Sequence, residues 1–164
     1  MTLRAVWVSL WMIAALPLLG KDLGDAKWGC KLDVPDDWSI KPLSPLELET
    51  YTASARNTDQ TEIVGLQVFP TKSPGPVTES TDYIKGVLQT GLFDFKDKRQ
   101  EKIHGTDFYV IVASVTRGPT VIHTTFYFTI ANNRLYQIAL SSKHGEVASN
   151  KTLQSALASF ALAP

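Results

Sequence analysis

Cysteine is almost missing: Cys30 stands alone in the chain. No intramolecular disulfide can form, so stability has to come from a packed core. A lone cysteine is more often a small buried hydrophobe than a reactive thiol, although pairing between chains stays open in an oxidising compartment. Histidine is scarce as well. His104, His123 and His144 are far apart, with no H-E-x-x-H spacing, whereas a zinc site needs clustered nitrogen and sulfur ligands. No metal ligand and no cofactor is therefore expected. There is no excess of charge: 16 basic residues face 16 acidic ones, and without Arg4 one net negative charge remains. A nucleic-acid binder would show a basic surplus. Also missing are a G-x-S-x-G nucleophile elbow, a P-loop and a dinucleotide glycine fingerprint. No catalytic residue can be named from the sequence, and the expectation is a non-enzyme.

Long hydrophobic runs are absent but for one. Ala5–Leu19 carries no charge, follows Arg4 and is broken by Pro17. That is the shape of a secretory signal over residues 1–20, and it is short for a membrane span, which wants about 20 residues. An uncleaved N-terminal anchor is the alternative. No lipobox is present, since Lys21 follows Gly20 and Cys30 has no Leu-rich run before it. Either way Arg4 stays inside and the folded part lies outside the cytoplasm. Periplasmic or secreted localisation is expected, with residues 21–27 a linker and residues 28–164 a single domain.

What is present is strand. Thr106–Arg117, Thr120–Ala131 and Arg134–Ser141 read as an antiparallel meander, joined by Gly118-Pro119 and Asn132-Asn133. A two-residue Asn132-Asn133 loop sets Ile130 opposite Leu135, Phe128 opposite Gln137 and Phe126 opposite Ala139. One face then carries Phe126, Phe128, Ile130, Leu135 and Ala139; the other carries Tyr127, Tyr136, Ile138 and Leu140. Phe108, Val110 and Val112 against Tyr109, Ile111, Ala113 and Val115 repeat the pattern one strand earlier. A sheet apolar on both faces must be buried on both, usually by helices.

Before the meander, Trp28–Val34, Leu46–Arg56 and Thr61–Phe69 are further strands, with turns at Pro35-Asp36-Asp37-Trp38 and Asn57-Thr58-Asp59-Gln60. Lys72–Thr78 is a loop around Pro74, Gly75 and Pro76. Ser80 or Thr81 caps a helix whose stripe is Ile84, Val87, Leu88 and Leu92, ending near Phe93–Phe95. Lys96–Lys102 is a charged stretch, read as a solvated loop or a docking surface for an acidic partner or lipid headgroups. A second helix spans about Gly145–Phe160, with Leu153, Ala156, Leu157 and Phe160 as its stripe. The fold class expected is α+β: an antiparallel sheet of about six strands with helices on both faces, an α/β/α sandwich.

Three smaller features have local readings. Glu47 and Glu49 share a strand face, as many solvent-facing pairs do. Asn150-Lys151-Thr152 matches a glycosylation acceptor, of consequence only in a eukaryote. Trp28 and Trp38 either pin a ligand or cover the start of the sheet.

The segment Leu32-Asp33-Val34-Pro35-Asp36-Asp37-Trp38 resembles the "strand, Pro, acidic turn, Trp" opening of PsbP-like domains. The order continues similarly through the helix at Tyr83–Leu92, the Gly105 hairpin entry, Asn133-Arg134-Leu135-Tyr136-Gln137-Ile138, and the closing Leu157-Ala158-Ser159-Phe160. This architecture is shared by the photosystem II extrinsic protein, the Ran-binding import factor and bacterial DcrB-like envelope proteins. The resemblance covers roughly Trp28–Phe160. It implies binding or assembly roles and carries no catalytic residue onto this chain. The secretory start fits the envelope members. An exported binding or accessory protein with an envelope protein as partner is the expectation; a small hydrolase or transferase, or a carrier of a small molecule or metal, is the alternative. The sequence singles out no partner-binding residue and no oligomeric state.

Overall fold

The computed structural model describes residues 19–43, 50–73 and 75–163. Residues 1–18 of the expected signal segment, Pro74, Glu47 and Glu49 lie outside the described residues, as do residues 46–49 of the strand expected over Leu46–Arg56, whereas residues 19 and 20 of the expected signal form the start of the first strand. In chain order the strands are β1 (Leu19–Asp22), β2 (Cys30–Lys31), β3 (Asp33–Pro35), β4 (Ser39–Leu43), β5 (Tyr51–Arg56), β6 (Glu62–Pro70), β7 (Asp94–Ile103), β8 (Thr106–Arg117), β9 (Thr120–Ala131), β10 (Arg134–Ser142) and β11 (Ala161–Leu162). Helix α1 (Asp82–Gln89) precedes β7, and α2 (Lys151–Ala158) follows β10. The main sheet has seven strands, ordered β4-β5-β6-β10-β9-β8-β7, and every neighbouring pair is antiparallel. Two ribbons, β1 with β3 and β2 with β11, stand apart from it.

The meander forms as its turns dictate. Asn132 and Asn133 both take positive φ, at 50° and 58°, which matches the twist of a two-residue hairpin. Gly118 takes φ 60° ahead of Pro119, with Arg117 and Thr120 paired across the turn. The β9–β10 register places Ile130 opposite Leu135 and Phe126 opposite Ala139, as the Asn-Asn loop requires. The meander also has a fourth strand. Asp94–Ile103 pairs along β8 through a turn at His104 and Gly105, both with positive φ. The stretch Lys96–Lys102, expected to be a loop or docking surface, is therefore most of the edge strand β7. A hydrophobic pattern could not reveal it, because an exposed edge needs charge on its flanks rather than alternation.

Two apolar clusters sit on opposite sides of the sheet. On one, Val64, Leu66, Val68, Val110, Tyr127, Tyr136, Ile138 and Leu140 pack beneath Leu153, Ala156 and Leu157 of α2, with Phe160 just beyond it. The N-terminal ribbon closes the rest through Leu23, Trp28, Leu32, Val34 and Trp38. On the other side, Tyr109, Ile111, Ala113, Phe126, Phe128 and Leu135 meet Val77 and Ile84. Ile84 is the one residue of α1 that is fully buried.

Several expectations need correction. The sheet has seven strands rather than about six, and its helical cladding amounts to two helices of eight residues each. Strand β4 went unread because Ser39–Leu43 holds Lys41 and Pro42, an edge composition with little alternation. Residues 21–27, expected as a linker, are built into the fold: β1 reaches Asp22, and Leu23 is 1% exposed. The single first strand over Trp28–Val34 is broken instead. A 3-10 turn at Ala26–Trp28, capped by Asp25 accepting the Lys27 N–H (2.7 Å), is ended by Gly29 at φ 72°. The first helix stops at Gln89, so Leu92 is not on it. Gly91 turns the chain at φ 63° and leaves Leu92 67% exposed. The second helix is shorter than 145–160: residues Val147–Ser149 form a 3-10 turn, and α2 begins after Asn150.

Candidate functional site

The described surface carries open clefts rather than a deep pocket. One, about 610 Å³, is lined by the Asn132-Asn133 hairpin tip, by Ser73 and Gly75–Val77, and by Gly105. Asp107, Thr106, Thr129 and Val77 also line it. A second cleft, about 370 Å³, is lined by Arg56, Gln60, Ile63, Arg117, Thr120, Ile122 and Lys143. Strand pairing puts Arg56 opposite Ile63, Ile63 opposite Ser141, Ser141 opposite Thr124, and Arg117 opposite Thr120. Paired residues share a face and residues two apart on a strand share it too, so these side chains belong to the face on which Phe126 and Phe128 lie. The turn at its edge is held rigidly: the Asn57 side-chain oxygen accepts the Thr61 and Glu62 N–H groups, both at 2.9 Å. Lys143 is placed by its N–H donating to the Thr61 carbonyl (2.9 Å).

A third feature is a patch at the end of α1. Leu92 projects into solvent beside half-buried Leu88, Phe93 and Phe95. Phe93 meets Phe126 edge-on at 5.2 Å and Phe95 at 6.1 Å. Charged pairs occur on β7 and before α1: Lys96 with Asp94, and Lys98 with Glu79 at 2.6 Å.

No protein-family model matches the chain, and no curated protein matches it significantly. Solved structures do. Cyanobacterial PsbP (CyanoP) from Synechocystis superposes with a TM-score of 0.65 at 17% identity, covering 87% of this chain and 91% of its own. The chain has a PsbP-like fold. A protein from Bacteroides thetaiotaomicron gives a TM-score of 0.56 at 15% identity over 90% of this chain, which spans half of that protein's length. LpqN of Mycobacterium tuberculosis, described as involved in cell envelope biogenesis, gives 0.46 at 13% identity over 82% of this chain and 83% of its own.

Within the PsbP-like domain the candidate residues have these places. Cys30 is 3% exposed. Burial pushes its thiol up to about 11 against a weaker opposing hydrogen bond at Asp25, so it lacks the thiolate character of a nucleophile. Its position also closes the route to pairing between chains unless the N-terminal ribbon opens. His123 pairs with Glu146 (Nδ1 to Oε1, 3.0 Å) on the face opposite Phe128. His104 sits in the β7–β8 turn and His144 follows β10, both exposed. Among the described residues, no three His, Cys, Asp or Glu side chains gather in metal-binding range.

Trp28 and Trp38 cover the core. Trp28 stacks on Tyr51 at 5.7 Å and lies under the Arg134 guanidinium at 5.5 Å, and the Tyr136 hydroxyl donates to its carbonyl at 3.0 Å. Asn150 is occupied as the α2 cap, accepting the Leu153 N–H at 3.1 Å, and its amide donates to Glu62. On β7 the charges satisfy one another. Arg99 bridges Asp97 (2.5 Å) and Glu101 (2.8 Å), and Lys102 meets Asp107 (3.4 Å). The stretch presents a balanced ladder rather than a basic patch for an acidic partner. Sequence reading missed the basic cleft altogether. Arg56, Arg117 and Lys143 are widely separated in the chain, and each sits at a strand end where a lone cation is unremarked.

Proposed function

We propose that this chain is an exported, non-enzymatic accessory protein of the bacterial cell envelope that acts by binding another protein. The domain is read as an α/β/α sandwich that is thin on the α1 side. Export rests on Arg4 and the uncharged Ala5–Leu19 run. Among the described residues no helix is long and apolar enough to cross a membrane. The observation that carries the binding reading is the Leu92 patch. Exposed Leu92 and half-buried Phe93 and Phe95 lie in one short stretch with the Asp94–Lys96 pair, and Lys98 further along β7 is paired with Glu79. Aromatic and aliphatic anchors with polar neighbours are what a protein–protein contact is built from. The PsbP-like fold is the further support for binding over chemistry.

The test is affinity capture from gently extracted envelope, followed by reconstitution with the purified candidate. One specific partner should be recovered by the unaltered chain and lost with Leu92→Asp at unchanged melting temperature. Recovery of no partner, or equal recovery by Leu92→Asp, would count against this reading.

A further inference from the structure

We infer that the cleft lined by Arg56, Arg117 and Lys143 is a binding site for the phosphate group of an organic phosphate monoester. Arg56 of β5, Arg117 of β8 and Lys143, which follows β10, line one space of about 370 Å³, and no carboxylate lines it. Among the described residues, none of the three makes an ion pair with Asp or Glu. The nearby acids are engaged elsewhere. Asp59 accepts the Thr61 hydroxyl at 2.8 Å, Glu62 takes the Asn150 amide, and Glu146 meets His123. By contrast, Arg99 and Lys102 of β7 are each paired with carboxylates.

Arg56 supplies a second observation. Its Nε is buried and has no hydrogen-bond partner in the protein. A buried N–H of a charged group without an acceptor is costly. An anion bound in the cleft would offer that N–H its missing acceptor.

The donor set selects the ligand class. Two guanidiniums and an ammonium present many N–H donors from separate directions, and the Arg fork suits oxyanions. The Thr120 hydroxyl and Gln60 amide add neutral donors at the rim. A planar carboxylate offers two oxygens in one plane, whereas a phosphate monoester offers three terminal oxygens arranged tetrahedrally. Between the cations lie Ile63 and Ile122. They favour an anion that carries an organic group over a bare hydrated ion. The cleft stays open because the α1-side apolar cluster on β9 begins only at Phe126, beyond Thr120 and Ile122.

The site does not depend on the partner reading, and its test leaves Leu92 untouched. Glycerol phosphate is titrated into the full chain by calorimetry and amide NMR. Phosphatidylcholine vesicles with and without phosphatidic acid are tested by co-sedimentation. Amide shifts should centre on residues 56–63, 117–122 and 143. Arg56→Gln should weaken binding roughly tenfold to hundredfold, as loss of a charged hydrogen bond would. Arg117→Gln and Lys143→Gln, both at exposed positions, should each weaken it in the same direction if Arg56→Gln fails to fold. Lys102→Gln, a cation paired on β7, should bind as the unaltered chain does. Binding to glycerol phosphate alone supports a soluble ligand, and binding to phosphatidic acid vesicles supports a lipid headgroup. Absence of both, or equal binding by Arg117→Gln and Lys143→Gln, overturns the inference.

Discussion

Replacing Phe128 with alanine probes the α1-side cluster at its centre. Phe128 is fully buried on β9, which lies inside the sheet between β10 and β8. Its ring stacks near Phe126 at 6.1 Å and meets Tyr83 of α1 edge-on at 6.1 Å. Truncating a buried Phe to Ala costs about 3–5 kcal/mol from lost transfer energy and the cavity left behind. Where this site falls in that range depends on collapse. The strand ladders on either side cannot close the gap, but α1 is only eight residues long and is tied down by the Tyr83 hydroxyl donating to Gln137 at 2.7 Å. The helix can settle partway into the space, so a loss of about 3–4 kcal/mol is expected. Against a typical margin of about 5–15 kcal/mol the variant should fold but melt markedly earlier. Urea unfolding with an unchanged slope is the assay, with amide exchange of α1 as companion. Faster exchange in α1 should accompany the loss. A cost below about 1 kcal/mol, or α1 exchange unaltered, would refute the assignment of this face as a packed cluster.

The opposite expectation holds at Leu92, where exposure of 67% predicts that Leu92→Asp shifts stability by no more than about 0.5 kcal/mol in thermal or urea unfolding. Cys30 should resist alkylation in the folded protein and react only once it unfolds. Its thiol is raised by burial from about 9 to about 11, so the unfolded chain loses the proton first. The stabilisation is complete below the unfolded value and falls as pH climbs from about 9 through about 11. Buried tyrosines add loss in the same direction at higher pH. The decisive readout is therefore the difference between the unaltered chain and Cys30→Ala, whose alkaline limb should be flatter.

Much of the fold was legible where short-range chemistry decides it. Asn132-Asn133 and Gly118-Pro119 dictate turn and register over a few residues, and alternation then assigns every side chain of β8, β9 and β10 to a face. Leu153, Ala156, Leu157 and Phe160 marked the α2 side in the same local way. The edges were not legible. Strand β7 is almost all charge and β4 contains Pro42, so neither shows the apolar period by which a strand is recognised. Their strand character comes from the neighbour that pairs with them. Leu92 fits the helical stripe of Ile84 and Leu88 in spacing, yet Gly91 ends that helix first.

Local patterning by itself determined that a two-faced apolar meander exists and must be covered. Tertiary structure alone decided how it is covered. The ribbon from Leu19 to Pro35 and α2 close one face, while a short α1 leaves part of the other open. Only the folded sheet could bring Arg56, Arg117 and Lys143 to one cleft. Strand order is set by which edges pair over long separations, and no feature of three isolated cations records that in the chain.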